Sequence, residues 1–341
     1  MVRILKSKKF YLAIFIPLLS SILFYFLVVQ SSLTFSTEIN KQVQFINKEK
    51  LKKHVKHLSE IGSRLTLKLE KPHYDKNKRD QKIEYITNEL KASGYAITKE
   101  EFKKVIRPEL PAVIGVNLFA TKIGSKQPKN IIEIGAHYDT RMDSPGADDN
   151  CSGISALLEI AHNLKVIQTN KTIRICFFDL EEYGLYGSRE HVRRIKENTN
   201  ETVEEIIVLE MIGYSSDKEK SQKTPIRIPL FVDPPETGNF ISLMSNWDSR
   251  DIAYQFEDAA KIYGKLPFFG LKILGGFLKE KDRSDHYPYW LSNYKAIMIT
   301  DTANFRNHHY HQKTDVYTTL NYDFMHKVTI SIYALLLHRS K

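Results

Sequence analysis

The sequence predicts an α/β fold: a mostly parallel, mixed central sheet flanked by helices on both faces, preceded by one N-terminal transmembrane helix. Three observations predict it. Short apolar runs of strand length alternate with stretches of helical periodicity, the pattern of a sheet covered on both faces. Acidic and His residues close several of those runs. Residues 10–29 carry no charge at all. The chain has 341 residues, 42% hydrophobic and 26% charged, a composition that supports a packed core and excludes a disordered or low-complexity chain. Its two Cys, at 151 and 176, exclude a disulfide scaffold. The length would hold about two domains, but no internal repeat or linker interrupts the body, so one domain is expected over residues 43–341.

Taken in order, residues 1–9 form a basic tail with Arg3, Lys6, Lys8 and Lys9. As a helix of ~1.5 Å rise per residue, residues 10–29 would span about 30 Å, the thickness of a bilayer core. That length favours a membrane anchor over the shorter apolar core of a cleaved signal peptide. The small-residue sequence Val29-Gln30-Ser31 keeps cleavage as an alternative, and a buried core helix would hardly lack polar positions. The positive-inside rule puts the tail in the cytoplasm and the body on the extracytoplasmic side, periplasmic or extracellular, and secreted if the segment is cleaved. The membrane is thus an expected partner. Of the net charge of +10, four units lie in the tail and the remaining +6 is spread over Lys–Glu mixtures. No basic stripe is present, which argues against nucleic-acid binding. Nothing in the sequence sets an oligomeric state.

Residues 30–42 read as a polar linker. Val43, Ile46, Leu51, Val55 and Leu58 fall near helical spacing. Residues 69–80, charged and containing Pro72, read as a surface loop, and residues 81–93 as an amphipathic helix stopped by Gly94. The runs 113–120, 131–136, 173–178, 206–209 and 296–299 resemble buried strands. Residues 152–164, 187–195 and 240–247 read as helices between them, and 322–337 as a closing amphipathic helix. Residues 213–235 and 263–285 are weakly patterned and are expected as loops over one sheet edge.

His137 and Asp139 follow one apolar run, Glu181 and Glu182 the next, and Glu210 a third, while Asp148 and Asp149 stand just before a helix. Ligands of open α/β sheets gather outside the carboxyl ends of the strands. Four segments therefore deliver carboxylate or imidazole to one edge. Singly, each is ordinary: Asp-Asp-Asn is a turn or a helix cap, and a Glu pair is a solvated face. Together they are not, because several carboxylates beside a core repel one another and are costly to desolvate. Divalent cations resolve the conflict, and hydrolytic zinc sites combine His with Asp or Glu around an open position.

The stretches AHYD (136–139), GADDNCSG (146–153), DLEEYGLYGS (179–188), LEMIG (209–213), SDHYPYW (284–290) and YHQKTD (310–315) resemble, in order, the motif set of the M28 family of zinc peptidases. That family contains co-catalytic aminopeptidases and related carboxypeptidases. The resemblance covers nearly the whole body and implies a zinc-exopeptidase-like fold with two Zn2+ per chain. It implies one zinc held by His137, Asp148 and Glu210 and the other by Asp148, Glu182 and His311, with Asp148 bridging. It implies Glu181 as the general base toward water and Asp139 as the residue orienting His137. Asp285, His286 and Asp315 are supporting candidates. His311 is preferred to His308 and His309 on the YH-x-x-x-D pattern. Glu210 stands where many members have Asp, and Cys151 where Ala is commoner. The Cys151 thiol reads as a small core residue, a redox-sensitive neighbour being the alternative.

The activity implied is that of an exopeptidase on peptide substrates, an aminopeptidase first. A carboxypeptidase of the same fold would need cations for the substrate carboxylate. Asp282, Arg283 and Arg306 are candidate readers of either terminus. Two other readings share the fold: a glutaminyl-cyclase-like aminoacyltransferase with one zinc, which needs no attacking water, and a non-catalytic binding module, which need keep neither ligands nor base.

Overall fold

The computed structural model describes residues 33–63, 65–68, 71–106, 112–141, 143–224, 227 and 233–341. The expected membrane segment at residues 10–29 lies outside them. Among the described residues no helix is long and apolar enough to cross a membrane.

Two short helices open the body, α1 (Thr37–Val43) and α2 (Lys48–Ile61), each started by a side chain that accepts from a first-turn N–H: Ser36 from Ile39 and Asn47 from Lys50. The expected linker thus already contains a helix. A hairpin of β1 (Leu65–Lys68) and β2 (Lys71–Tyr74) and helix α3 (Lys76–Ala92) follow. Within the expected loop over residues 69–80, Lys71–Tyr74 is a strand and Lys76 begins a helix. Its charges mislead because α3 wears a polar face, and Asp75 caps it by accepting from Lys78 N–H.

The remaining strands are β3 (Ile97–Lys104), β4 (Val113–Lys122), β5 (Gln127–His137), β6 (Lys171–Phe178), β7 (Thr202–Glu210), β8 (Ile241–Ser245), β9 (Phe268–Leu271) and β10 (Lys295–Thr300). They form one eight-stranded sheet in the order β3-β4-β6-β5-β7-β10-β8-β9. The central four, β6-β5-β7-β10, run parallel, with β4 and β8 antiparallel on their flanks. The strands expected from the apolar runs all fall in this sheet. Within residues 240–247, expected as a helix, Ile241–Ser245 instead form β8. Ile241, Leu243 and Ser245 are buried while Ser242 and Met244 are half-buried, a period of two that five residues are too few to reveal beforehand. The weakly patterned stretch 263–285 likewise contributes β9.

Helices cover both faces. On one, α4 (Cys151–Leu164), α6 (Arg250–Ala259) and α8 (Tyr322–Arg339) join α1, α2 and α3 over Ile132, Ile134, Ile173, Ile207 and Ile299. On the other, α5 (Tyr186–Glu197) and α7 (His286–Leu291) cover Ile131, Phe178, Ile206, Val208 and Ala296. Because both faces are buried, the central strands read as unbroken apolar runs, and their carboxyl ends are the place where polar side chains can collect.

Candidate metal centre

Each candidate residue sits where a strand ends. β5 ends in His137, β7 in Glu210, and the turn after β6 carries Glu181 and Glu182. Asp148 and Asp149 precede α4, and His311 lies in the loop after β10. Gly146 makes the approach to α4 possible: its φ of +68° is left-handed, and a Cβ there would come within 2.4 Å of the Asp149 carbonyl. Non-glycine residues with left-handed φ stand at the site itself: Leu180 before Glu181, Met211 after Glu210, and His311. Such backbone costs on the order of 1–3 kcal/mol per residue and persists where the surroundings dictate it.

Two groups of donors converge. His137 Nε2 lies 3.4 Å from Asp149 Oδ1 and 3.4 Å from Glu210 Oε2, with Glu181 Oε2 at 3.9 Å. His311 Nε2 lies 3.1 Å from Asp149 Oδ2 and 3.2 Å from Glu182 Oε2. One carboxylate, that of Asp149, thus stands between the two imidazoles. This corrects the expectation for Asp148. Its Oδ1 accepts from Gly213 N–H at 2.9 Å and its Oδ2 from Asn307 Nδ2 at 2.7 Å, and it shares a hydrogen bond with Asp301. Both Asp148 oxygens are therefore engaged away from the imidazoles, and Asp148 acts as a brace.

The surroundings aim these donors. The His137 Nδ1–H donates to the Asp139 carbonyl at 3.0 Å, which fixes the tautomer and turns Nε2 to the carboxylates. The Asp139 carboxylate accepts from the N–H groups of both Glu181 (3.0 Å) and Glu182 (3.2 Å), so adjacent side chains diverge toward different imidazoles. Asp315 accepts from the N–H groups of Asp148 and Asp149, and Ser284 donates to Glu210 Oε2 at 2.7 Å. Tyr310 stacks on the His311 ring at 3.7 Å. His308 packs on Tyr214, and His309 Nδ1 meets Thr314 Oγ1 at 2.8 Å, so neither joins the groups. Asp285 is buried behind them, its carboxyl pushed up to about 7 by burial. His286, also buried, packs at right angles to Trp290. Ser284, Asn307 and Tyr310 escaped the sequence reading as members of the site, although Ser284 and Tyr310 begin two of the quoted motifs.

The donor set fits cations. Bonds of about 2.0–2.1 Å in tetrahedral array put donors about 3.3–3.4 Å apart, close to the separations found. His137 Nε2 and Glu182 Oε1 are buried with no hydrogen-bond partner, an arrangement costly for a protein to keep unless something binds there. Protein groups alone balance only by holding protons. Burial would lower His137, yet Glu181 and Glu210 push it well above its ordinary value, and His311 rises to about 9 against burial through Asp149 and Glu182. Burial pushes Glu182 up to about 7. Cys151 and Cys176 are free and buried. Burial pushes the Cys151 thiol up to about 11, which suits a core residue and not a reactive thiolate.

Histidine and carboxylate groups gathered at the carboxyl ends of parallel strands mark the class of metal-dependent hydrolases. The sequence pattern of Peptidase family M28 matches residues 117–336, well over half the chain. The protein belongs to that family. The uncharacterized protein YfbL of Escherichia coli (strain K12) is 33% identical over 215 residues, covering 60% of this chain and 66% of its own. Aminopeptidase YwaD of Bacillus subtilis (strain 168) is 36% identical over 217 residues, covering 61% and 41%. The chain spans less than two thirds of the length of these relatives. Among solved structures, BSAP, a zinc aminopeptidase from Bacillus subtilis, has a TM-score of 0.67 at 15% identity, covering 87% of this chain and 96% of that one. The glutaminyl cyclase of Porphyromonas gingivalis has a TM-score of 0.64 at 18% identity, covering 86% and 99%. At such identities the likeness is one of fold.

Proposed function

We propose that this protein is a zinc-dependent exopeptidase, an aminopeptidase acting on peptides, with two zinc ions per chain. The observation that carries the reading is the Asp149 carboxylate, one oxygen turned to His137 and the other to His311. His137, Asp149 and Glu210 would hold one ion; Asp149, Glu182 and His311 the other. Bound zinc would supply Lewis acidity, polarising the scissile carbonyl and lowering the pKa of water.

The chain's own residues do the rest. Glu181 reaches the His137 group but is not needed by the His311 group, which leaves its carboxylate to take a proton from the attacking water and pass it to the leaving amine. Burial pushes Glu181 well above its ordinary value, the direction a proton carrier requires. Asp139 holds the backbone of Glu181 and Glu182 so that the two keep separate tasks. The apolar run at residues 10–29 and the basic tail support an anchored body on the extracytoplasmic side.

The shared Asp149 favours hydrolysis over the single-zinc cyclase chemistry. The test is zinc-reconstituted protein incubated with free-amine peptides, amino-blocked peptides and peptides with amino-terminal Gln, with and without chelator. Release of the amino-terminal residue only from free-amine peptides, abolished by chelator, is the expected result. Ammonia release from the Gln peptide without chain cleavage would overturn it.

A further inference from the structure

Three groups looked able to read a substrate terminus from sequence alone, and the structure separates them. Arg306 is buried: its Nε donates to Gln222 and its Nη1 to the Tyr214 carbonyl, its plane lies over Phe240, and it faces the acidic pair Asp148 and Asp301. It braces the site from behind. Asp282 is exposed on a short turn. Arg283 lines a cavity that opens beside Glu210 and is walled by Phe240, Leu243, Met244, Phe269 and Met298.

Arg283 differs from Arg306 in standing on the cavity wall rather than behind the site. Its Nη1 donates to Asn304 Oδ1 at 2.8 Å and its Nη2 to the Tyr310 hydroxyl at 3.2 Å, both neutral, and its plane lies near Phe305 and Tyr310. Among the described residues no carboxylate forms an ion pair with it. The other charged groups lining the cavity are Lys223, Glu280 and Glu210, the last of them engaged with His137 and Ser284. Arg283 therefore brings to an apolar-walled cavity a guanidinium that, among the described residues, has no carboxylate partner, a setting that suits an anion.

Resting on the exopeptidase reading, we propose that Arg283 binds the free carboxylate of a dipeptide-sized substrate whose apolar side chain fills this cavity. The reach is what limits the size. Arg283 adjoins Ser284, which bonds Glu210, and bonds Tyr310, which stacks on His311. A carboxylate held there lies beside residues that touch both donor groups, so the substrate that reaches it from the scissile bond is a short one.

The experiment compares Leu-Leu with Leu-Leu-amide on the zinc-loaded enzyme and on its Arg283→Met and Arg283→Lys variants, reading kcat/KM for each pair. The wild type should prefer the free acid by ~10–100-fold, the worth of a charge-assisted hydrogen bond. Arg283→Met should bring the ratio near one, mainly through KM, and Arg283→Lys should keep part of it. The ratio is internal to each variant, so a general loss of activity does not mimic the effect. Equal rates on both forms by the wild type, or an undiminished ratio in Arg283→Met, would overturn the proposal alone. Failure to hydrolyse either form would overturn the exopeptidase reading, and this proposal with it.

Discussion

Two buried groups of carboxylate and imidazole sit four residues apart along β5, and they are built to opposite ends. Glu133, on the face covered by α5 and α7, accepts from His191 Nε2, Arg174 Nη1 and the Tyr289 hydroxyl, while His191 Nδ1 meets Glu100. Cys176 lies close enough to complete a possible donor trio with Glu133 and His191, but the charges there are already matched. Burial would raise Glu133, yet His191 and Arg174 hold it down at about 2; burial would lower His191, yet Glu133 and Glu100 raise it to about 9. The group around Asp149 uses the same residue types with no arginine in it, and it leaves His137 Nε2 and Glu182 Oε1 unpartnered. The difference teaches that acid–imidazole clustering alone does not signal a metal centre. What signals it is a buried surplus of acceptors that no protein cation closes.

The comparison can be broken at several points. Glu181→Gln should lower kcat by ~10²–10⁴, the usual range for a lost proton carrier, with zinc content by elemental analysis unchanged; near-normal turnover would remove Glu181 from the mechanism. Asp149→Asn should lose zinc and activity together, whereas Asp148→Asn should load zinc as the wild type does, because its oxygens bond Gly213 and Asn307. Equal zinc loss in both would undo the assignment of the shared position to Asp149.

The closed group should answer differently. Glu133→Gln leaves Arg174 and His191 buried without their shared partner and should cost roughly 3–5 kcal/mol in denaturant unfolding, with the zinc content of the folded fraction intact. A milder probe is pH. His191 has its folded pKa raised, so its contribution to stability is complete below about 6.5 and is lost as pH climbs toward about 9. The unfolding midpoint should therefore fall over that window, and His191→Gln should flatten the fall.

Much of this was legible in the sequence. Runs such as those of β5, β6 and β7 are apolar on both faces, and a layered α/β fold follows from them. The acids at their ends located the site. What stayed hidden depended on direction in space. Two consecutive aspartates cannot be told apart by spacing; only the turn braced by Asp315 decides that Asp149, not Asp148, faces the imidazoles. Residues 240–247 offered too short a pattern to separate strand from helix. Arg283 and Arg306 looked equivalent until their partners were known, since the burial of a guanidinium is a property of the fold around it.

Zinc uptake tests the central claim most directly. The metal-free chain, titrated with zinc and followed by elemental analysis and thermal unfolding, should bind two ions per chain, melt at higher temperature when loaded, and lose both gains to a chelator. A chain that takes up no zinc, and melts at one temperature whether or not zinc is present, would contradict the account.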